Sequence, residues 1–258
     1  MKCMTVRYLH INYIPSSGWV LSIMSRLLTS SSPRLRAAFE QWSNTPLKEL
    51  GLAITTRMQM LGLCIRRLNA QVHKLRDEVA SDSVQCEDSL ARGAAFALKD
   101  QQLPYELLLD MDSFLFETRS LYEIMGTFLG ELFRTVFDRD VTQSDVKSIL
   151  EAADIDTRWI DELRTNRILF FHKTAPWIAV RVDGEDMSCD PVLLKRQVIT
   201  FDDPDTFVEF ARLREIYDGF VSSITELHRF ILEQIRLHEP ESDEDTGGLP
   251  ASDEDPTR

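Results

Sequence analysis

The stretch YELLLDMDSFLFETRSLYEIMGTFLGELFRTVF, from Tyr105 to Phe137, decides the fold class. Its apolar residues recur every three or four positions, and further apolar residues stand between them, so more than one face of a helix is hydrophobic. Other elements must therefore cover this helix on several sides. Charged residues such as Glu117, Arg119 and Glu131 exclude a membrane-spanning helix. The stretch predicts the central helix of a soluble bundle.

Two more long amphipathic helices flank this central helix in the sequence. One is predicted from Leu47 to about Ala80, and the other from an N-cap at Asp203 to about Leu237. Before the last helix, residues 177–182 and 192–201 are rich in β-branched residues and are separated by a polar, Gly-containing segment. The predicted fold class is therefore mainly α, a helical bundle with a small β-hairpin inserted before its last long helix.

The predicted domain organisation is one domain with an extension at each end. Residues 1–32 are rich in serine and lack a clear periodic pattern, so we expect a poorly ordered N-terminal lead. Residues 33–238 are expected to form a single helical-bundle domain. Residues 239–258 contain eight acidic residues and one arginine, which predicts a disordered acidic tail.

Composition limits the classes of function. The net charge of −13 argues against a broad basic surface for nucleic acid, although a local basic site is compatible with it. The four cysteines lack the paired spacing of a zinc site or a disulfide framework, which favours a reducing cytoplasm and predicts no metal. No phosphate-binding glycine loop, nucleophile elbow or dinucleotide fingerprint is present, so no cofactor is expected. No stretch predicts a membrane partner.

The main chemical signal is the segment LRTNRILFFHK, from Leu163 to Lys173. Its periodicity predicts a helix that starts at Asp156 and ends close to Lys173, because Pro176 cannot continue it. On a helix, Arg167 and His172 are about 7.5 Å apart along the axis and roughly 140° apart around it. Arginine offers paired donors to a phosphate, and histidine titrates near neutral pH. The pair therefore suits cleavage of a phosphodiester by general acid–base chemistry.

This arrangement resembles the HEPN superfamily, whose ribonuclease members are helical bundles with an arginine, four to six intervening residues and a histidine. The resemblance covers about residues 85–237. It implies a metal-independent endoribonuclease of toxin or phage-defence type, acting on RNA as a homodimer, with a protein partner such as an antitoxin. His172 would transfer a proton and Arg167 would hold the phosphate. Arg164, Asn166 and Lys173 would support phosphate binding.

Three considerations leave an alternative open for this pair. Arg67 and His73 match the same spacing within an ordinary long helix, so the spacing alone is weak evidence. His172 also fits a structural role, in which its ring bonds to a backbone carbonyl at the edge of the core. Ile168 stands after Arg167, where the family usually has a polar residue. The second hypothesis is therefore a non-catalytic helical scaffold or interaction protein.

A line of polar residues crosses the central helix at steps of four, three, four and three, and comprises Glu106, Asp110, Ser113, Glu117 and Ser120. One interpretation is that Asp110 and Glu117 orient Arg164, Arg167 or His172 from across the bundle. The other is that the line is the solvated side of the helix.

Overall fold

The computed structural model describes residues 17–172, 177–182, 189–194 and 207–239. The described residues form a mainly α-helical protein with a small antiparallel sheet before the last long helix, which confirms the predicted fold class. The helices are α1 (Gly18–Thr29), α2 (Pro33–Gln41), α3 (Leu47–Ala80), α4 (Ser83–Arg92), α5 (Leu103–Phe137), α6 (Gln143–Ala152), α7 (Arg158–His172) and α8 (Phe210–Leu237). Within the described ranges, no helix has the length and apolar character needed to cross a membrane.

Helix α5 is the centre of the bundle, as its sequence predicts. Its buried residues point in several directions, and they include Phe114, Leu121, Phe128 and Phe133. Gly130 allows a close approach, because a Cβ atom there would lie 2.8 Å from the backbone carbonyl oxygen of Val141. This contact brings the segment before α6 against the central helix.

Helix α3 lies antiparallel along α5, and its bounds match the predicted ones. Arg57, near the start of α3, binds Glu117, whereas Gln71, farther along α3, binds Asp110, which comes earlier in α5. Apolar residues spaced by about two turns, among them Ile54, Leu61, Leu68 and Leu75, are buried along the contact. The two helices therefore form the long framework of the bundle.

Helix α1 corrects the expectation of a poorly ordered lead over residues 1–32. Ser17 caps the helix by accepting a hydrogen bond from the backbone N–H of Val20. Val20, Ile23 and Leu27 then lie on one face and are buried in the core. The Trp19 ring packs against Phe128, with ring centroids 5.5 Å apart. Residues 1–16 lie outside the described part.

The sheet differs from the predicted hairpin in having a third strand. It comprises β1 (Trp177–Val182), β2 (Cys189–Leu194) and β3 (Phe207–Glu209), in the order β1-β2-β3, with both pairs antiparallel. Residues 207–209 were expected to be helical, but they pair with residues 192–194. Helix α8 consequently starts at Phe210, and the predicted cap Asp203 lies outside the described residues. Of the predicted acidic tail, only Glu239 is described.

Candidate functional site

Aromatic packing anchors helix α7, which carries the Arg167/His172 positions. Trp159 is buried, and its ring lies edge-on to Tyr122 of α5 and Phe220 of α8, with centroids 5.5 and 5.8 Å away. The indole Nε1 donates a hydrogen bond of 3.0 Å to the Ser223 hydroxyl. Burial also raises the pKa of the Tyr122 phenol. The first turn of α7 is therefore held between the two longest neighbouring helices.

The predicted site residues are placed unequally. Arg164 is exposed on α7, whereas Asn166 is buried, with 8% of its surface accessible. Arg167 and His172 both belong to α7, which is described as far as His172, but their side chains lie outside the described part. Lys173 lies outside the described residues. The structure thus gives the helix that carries the predicted pair, and the interaction between its two side chains stays a prediction.

Helix α7 leads toward the start of α8. Trp159 contacts Phe220 and Ser223, whereas Glu162 lies 3.9 Å from Arg212, an earlier residue of α8. The two helices are therefore antiparallel in this region. The C-terminal end of α7 approaches the end of the bundle where β3 passes into α8.

Asp110 and Glu117 do not bond to α7 in the described structure, because they are paired with α3. Arg57 donates from Nη1 to both carboxylate oxygens of Glu117, at 2.8 and 2.7 Å. Asp110 accepts a hydrogen bond of 2.8 Å from Gln71 and lies 3.0 Å from Nε of Arg67. Both acids are buried. Their described partners belong to α3, and the expectation that they orient Arg164, Arg167 or His172 across the bundle stays a prediction.

These pairs make a polar seam between α3 and α5, defined by Arg57, Arg67, Gln71, Asp110 and Glu117. The Oε1 atom of Gln71 is buried without a hydrogen-bond partner among the described residues. Cys64 lies in α3 beside the seam. Burial, followed by the negative charges of Asp110 and Glu117, raises the pKa of its thiol. The thiol therefore stays protonated at neutral pH, which disfavours a nucleophilic role for it.

The polar seam also contains Arg67, the arginine of the second pair that matches the motif spacing, Arg67 and His73. Arg67 is occupied by the ion pair with Asp110, and His73 is exposed on α3. Nothing in this geometry brings the two side chains onto a common ligand. The pair therefore serves as an internal control for the match at Arg167 and His172.

A cleft of about 420 Å³ opens between α3, α5, the sheet and the start of α8. Sequence patterns alone did not indicate it. Its floor is apolar and includes Ile65, Leu68, Val72, Phe114, Leu213 and Tyr217. The volume falls within the range of roughly 300–1,000 Å³ that holds small ligands in other proteins.

Charged side chains surround the mouth of this cleft as a continuous set of ion pairs. Asp190 bridges Arg76 and Arg181, at 2.9 and 3.5 Å, and Arg181 also binds Glu209 at 2.6 Å. The Glu209 carboxylate, and then Asp190, raise the pKa of the Arg181 guanidinium. Arg181 thus lies between two carboxylates, those of Asp190 and Glu209. In the sheet, Arg181 of β1 lies opposite Asp190 of β2. The sequence pattern does not pair these two residues, because the second strand that it predicts starts at Val192, after Asp190.

No group of histidine, cysteine or acidic side chains within the described ranges is arranged to hold a metal ion. Comparison with protein-family models, with characterised proteins and with solved structures finds no match. The geometry of this chain is therefore the basis for assigning it a function.

Proposed function

We propose that the protein is an HEPN-like, metal-independent endoribonuclease of toxin or phage-defence type, acting in a reducing cytoplasm. In a symmetric dimer, two copies of the Arg167/His172 pair would share one cleft for RNA. One imidazole removes the proton of a ribose 2′-hydroxyl, and the 2′-oxygen attacks phosphorus. The bond to the 5′-oxygen breaks, and that oxygen leaves with a proton from an imidazolium. Arg167 holds the phosphate, and Arg164, Asn166 and Lys173 assist.

The observation that carries this proposal is the continuity and anchoring of α7. One helix includes both positions of the pair, and buried Trp159, Leu163 and Asn166 fix its earlier turns against the bundle. A short step on a well-packed helix keeps two side chains at a defined separation, which acid–base chemistry requires. Arg164, exposed on the same helix, adds positive charge close to the pair.

Exposed apolar side chains support a homodimer. Met60 and Leu63 on α3, together with Leu109 and Phe116 on α5, are each at least 38% exposed although they are large and hydrophobic. Phe116 lies beside the polar seam, with the guanidinium carbon of Arg57 5.4 Å from its ring centroid. A second copy of the chain, or a protein partner such as an antitoxin, would remove this surface from water.

The test is cleavage of a mixed RNA sample by the purified protein in the presence of a chelator. The unchanged protein should release fragments with 2′,3′-cyclic phosphate and 5′-hydroxyl ends. His172→Ala should abolish the cleavage, and His73→Ala, the matched control on α3, should leave it intact. Equal cleavage by the unchanged protein and His172→Ala would refute the proposed chemistry.

The second candidate is a non-catalytic helical scaffold, and the occupied polar seam favours it. The described partners of Asp110 and Glu117 belong to α3, so both buried charges are accounted for without a role in chemistry at α7. The scaffold is supported if no variant cleaves RNA while the protein stays folded. Leu63→Glu should then weaken self-association or partner binding, as measured by sedimentation.

A further inference from the structure

The cleft between α3, α5, the sheet and α8 combines an aromatic floor with a mouth of balanced charge. Both Phe114, which is buried, and Tyr217, which is half-buried, line it. Three arginines at the mouth, Arg76, Arg181 and Arg214, are matched by three carboxylates, those of Asp190, Glu209 and Asp218. An isolated phosphate would gain little binding energy from a rim whose charges balance. A purely apolar ligand would leave the polar groups of the rim without hydrogen-bond partners on the ligand.

A flat heterocycle with both donors and acceptors on its edge complements this arrangement. Its faces would lie on the apolar floor, where base–aromatic stacking is favourable. Guanidinium groups donate to ring nitrogens and carbonyl oxygens, and carboxylates accept from exocyclic amines. The rim offers both kinds of group within one ion-paired network, in which Asp190 lies between Arg76 and Arg181.

The position of the cleft relative to α7 also favours this ligand. The cleft is lined by the first turns of α8, including Phe210 and Arg214. Helix α7 runs antiparallel to α8 and ends toward the same end of the bundle, as the contacts of Trp159 and Glu162 show. A ligand that extends from the cleft along this end of the bundle would approach the end of α7.

We propose that this cleft binds a nucleobase. The choice of a nucleobase over another heterocycle of mixed polarity rests on the proposed ribonuclease function. The base stacks on the half-buried ring of Tyr217, above the apolar floor to which the buried Phe114 contributes, and its polar edge faces the ion-paired rim. The base belongs either to a free nucleoside or to an unstacked position of an RNA strand.

The test is a calorimetric titration of the full-length His172→Ala protein with each of the four ribonucleosides, so that cleavage does not interfere. Ribose 5-phosphate and phenylalanine serve as probes that lack a base. Ala211→Trp places a large side chain at an exposed position that lines the cleft, without altering the core. Ser222→Trp adds the same side chain at an exposed position of α8 outside the cleft.

At least one nucleoside should bind more than tenfold more tightly than ribose 5-phosphate or phenylalanine. Ala211→Trp should weaken that binding at least tenfold, and Ser222→Trp should leave it unchanged. The proposal is overturned if no nucleoside binds more tightly than ribose 5-phosphate and phenylalanine. It is also overturned if the Ala211→Trp variant binds nucleosides with the same affinity as the parent protein. Thermal unfolding of both tryptophan variants shows that each is folded.

A second arm distinguishes the two sources of the base. In the protein with His172 intact, Ala211→Trp should change the preferred bases around the cleaved bond if the cleft takes a base of the RNA substrate. An unchanged cleavage pattern, with nucleoside binding lost, assigns the cleft to a free nucleoside or nucleotide. Failure of cleavage in all proteins would refute the ribonuclease and leave the nucleoside titration as an independent result.

Discussion

The two sides of helix α5 are packed by different means. Against α3, the contact includes two ion pairs in which a buried carboxylate of α5 meets a more exposed arginine of α3, Glu117 with Arg57 and Asp110 with Arg67. Against α7, it is formed by aromatic rings, with Trp159 between Tyr122 and Phe220. The first side requires charges that neutralise each other, and the second requires a close fit of shape. This difference explains how a polar line can cross a central helix, because its buried carboxylates have partners on α3.

The same difference distinguishes the side chains that support α5 from those that hold α7. The acidic residues of α5 are satisfied by α3, so their burial is accounted for by structure alone. Helix α7 is held by apolar and aromatic contacts through its earlier turns, which leaves its C-terminal end to carry the Arg167/His172 pair. Substitutions on the two sides should therefore differ in kind as well as in size.

The largest expected effect is on the aromatic side. Trp159→Ala should lower the free energy of unfolding by about 3–5 kcal/mol, because it removes a buried ring and leaves a cavity. Urea unfolding measures this loss. Trp177→Ala is the control, since Trp177 is 55% exposed on β1, and it should change the free energy by less than about 0.5 kcal/mol. Equal losses in the two variants would mean that α7 is not anchored through Trp159.

Removing one charge from the seam should have the next largest effect. Arg57→Met leaves the buried Glu117 carboxylate without its partner, and we expect a loss of about 2–3 kcal/mol in the free energy of unfolding. Adding Glu117→Leu should recover at least half of the loss, because the unpaired charge is then gone. Arg236→Met, which breaks an exposed pair with Glu233 on α8, should leave the unfolding midpoint unchanged. No recovery in the double variant would argue that packing dominates the seam.

The fit of shape on the aromatic side depends on Gly219. A Cβ atom there would lie 2.6 Å from Cδ1 of Trp159, so Gly219→Ala forces the indole to move. We expect a loss of about 1–3 kcal/mol by denaturant unfolding. Gly62→Ala on α3 meets nothing within 4 Å and should stabilise the protein by about 0.5–1 kcal/mol through helix propensity. The two substitutions should therefore change the free energy of unfolding in opposite directions.

Sequence periodicity predicts the elements whose pattern is local. The bounds of α3, and those of α5 to within two residues, follow from runs of apolar residues that each helix carries by itself. Helix α1 was missed although Val20, Ile23 and Leu27 are helically spaced, because the surrounding serines resemble a disordered segment. Strand β3 was missed because its conformation comes from pairing with β2.

For the candidate site, the sequence predicted which residue types lie on one helix, and it did not predict which residues of other helices they contact. Which helix neutralises Glu117 depends on a partner 60 residues away, and no local pattern reports that pairing. The cleft mouth likewise joins Arg76 to Asp190 across 114 residues. The acids and the arginines are recognisable separately in the sequence, and the fold decides which of them meet.

The smallest expected effect concerns His228, which joins α1 to α8 near the aromatic side. Its Nε2 lies 2.5 Å from the Ser22 hydroxyl, and Trp19 covers its ring at 5.7 Å. Burial lowers the pKa of His228 below its ordinary value. In the pH range between the lowered folded pKa and the unfolded pKa of about 6.5, the unfolded chain therefore binds more protons than the folded one.

Stability should consequently fall as the pH drops through about 6.5, and the contribution of His228 should be fully present above that value. The measurement is the urea midpoint at pH 7.5 and pH 5.5, a range in which carboxylates with lowered pKa values, such as Asp145 and Glu226, stay ionised. His228→Gln keeps a hydrogen-bonding group near Ser22 but cannot titrate, so its midpoint should change less between the two pH values. If both proteins lose the same stability, the α1/α8 contact does not depend on a neutral histidine, and the ring packing of Trp19 is sufficient to hold it.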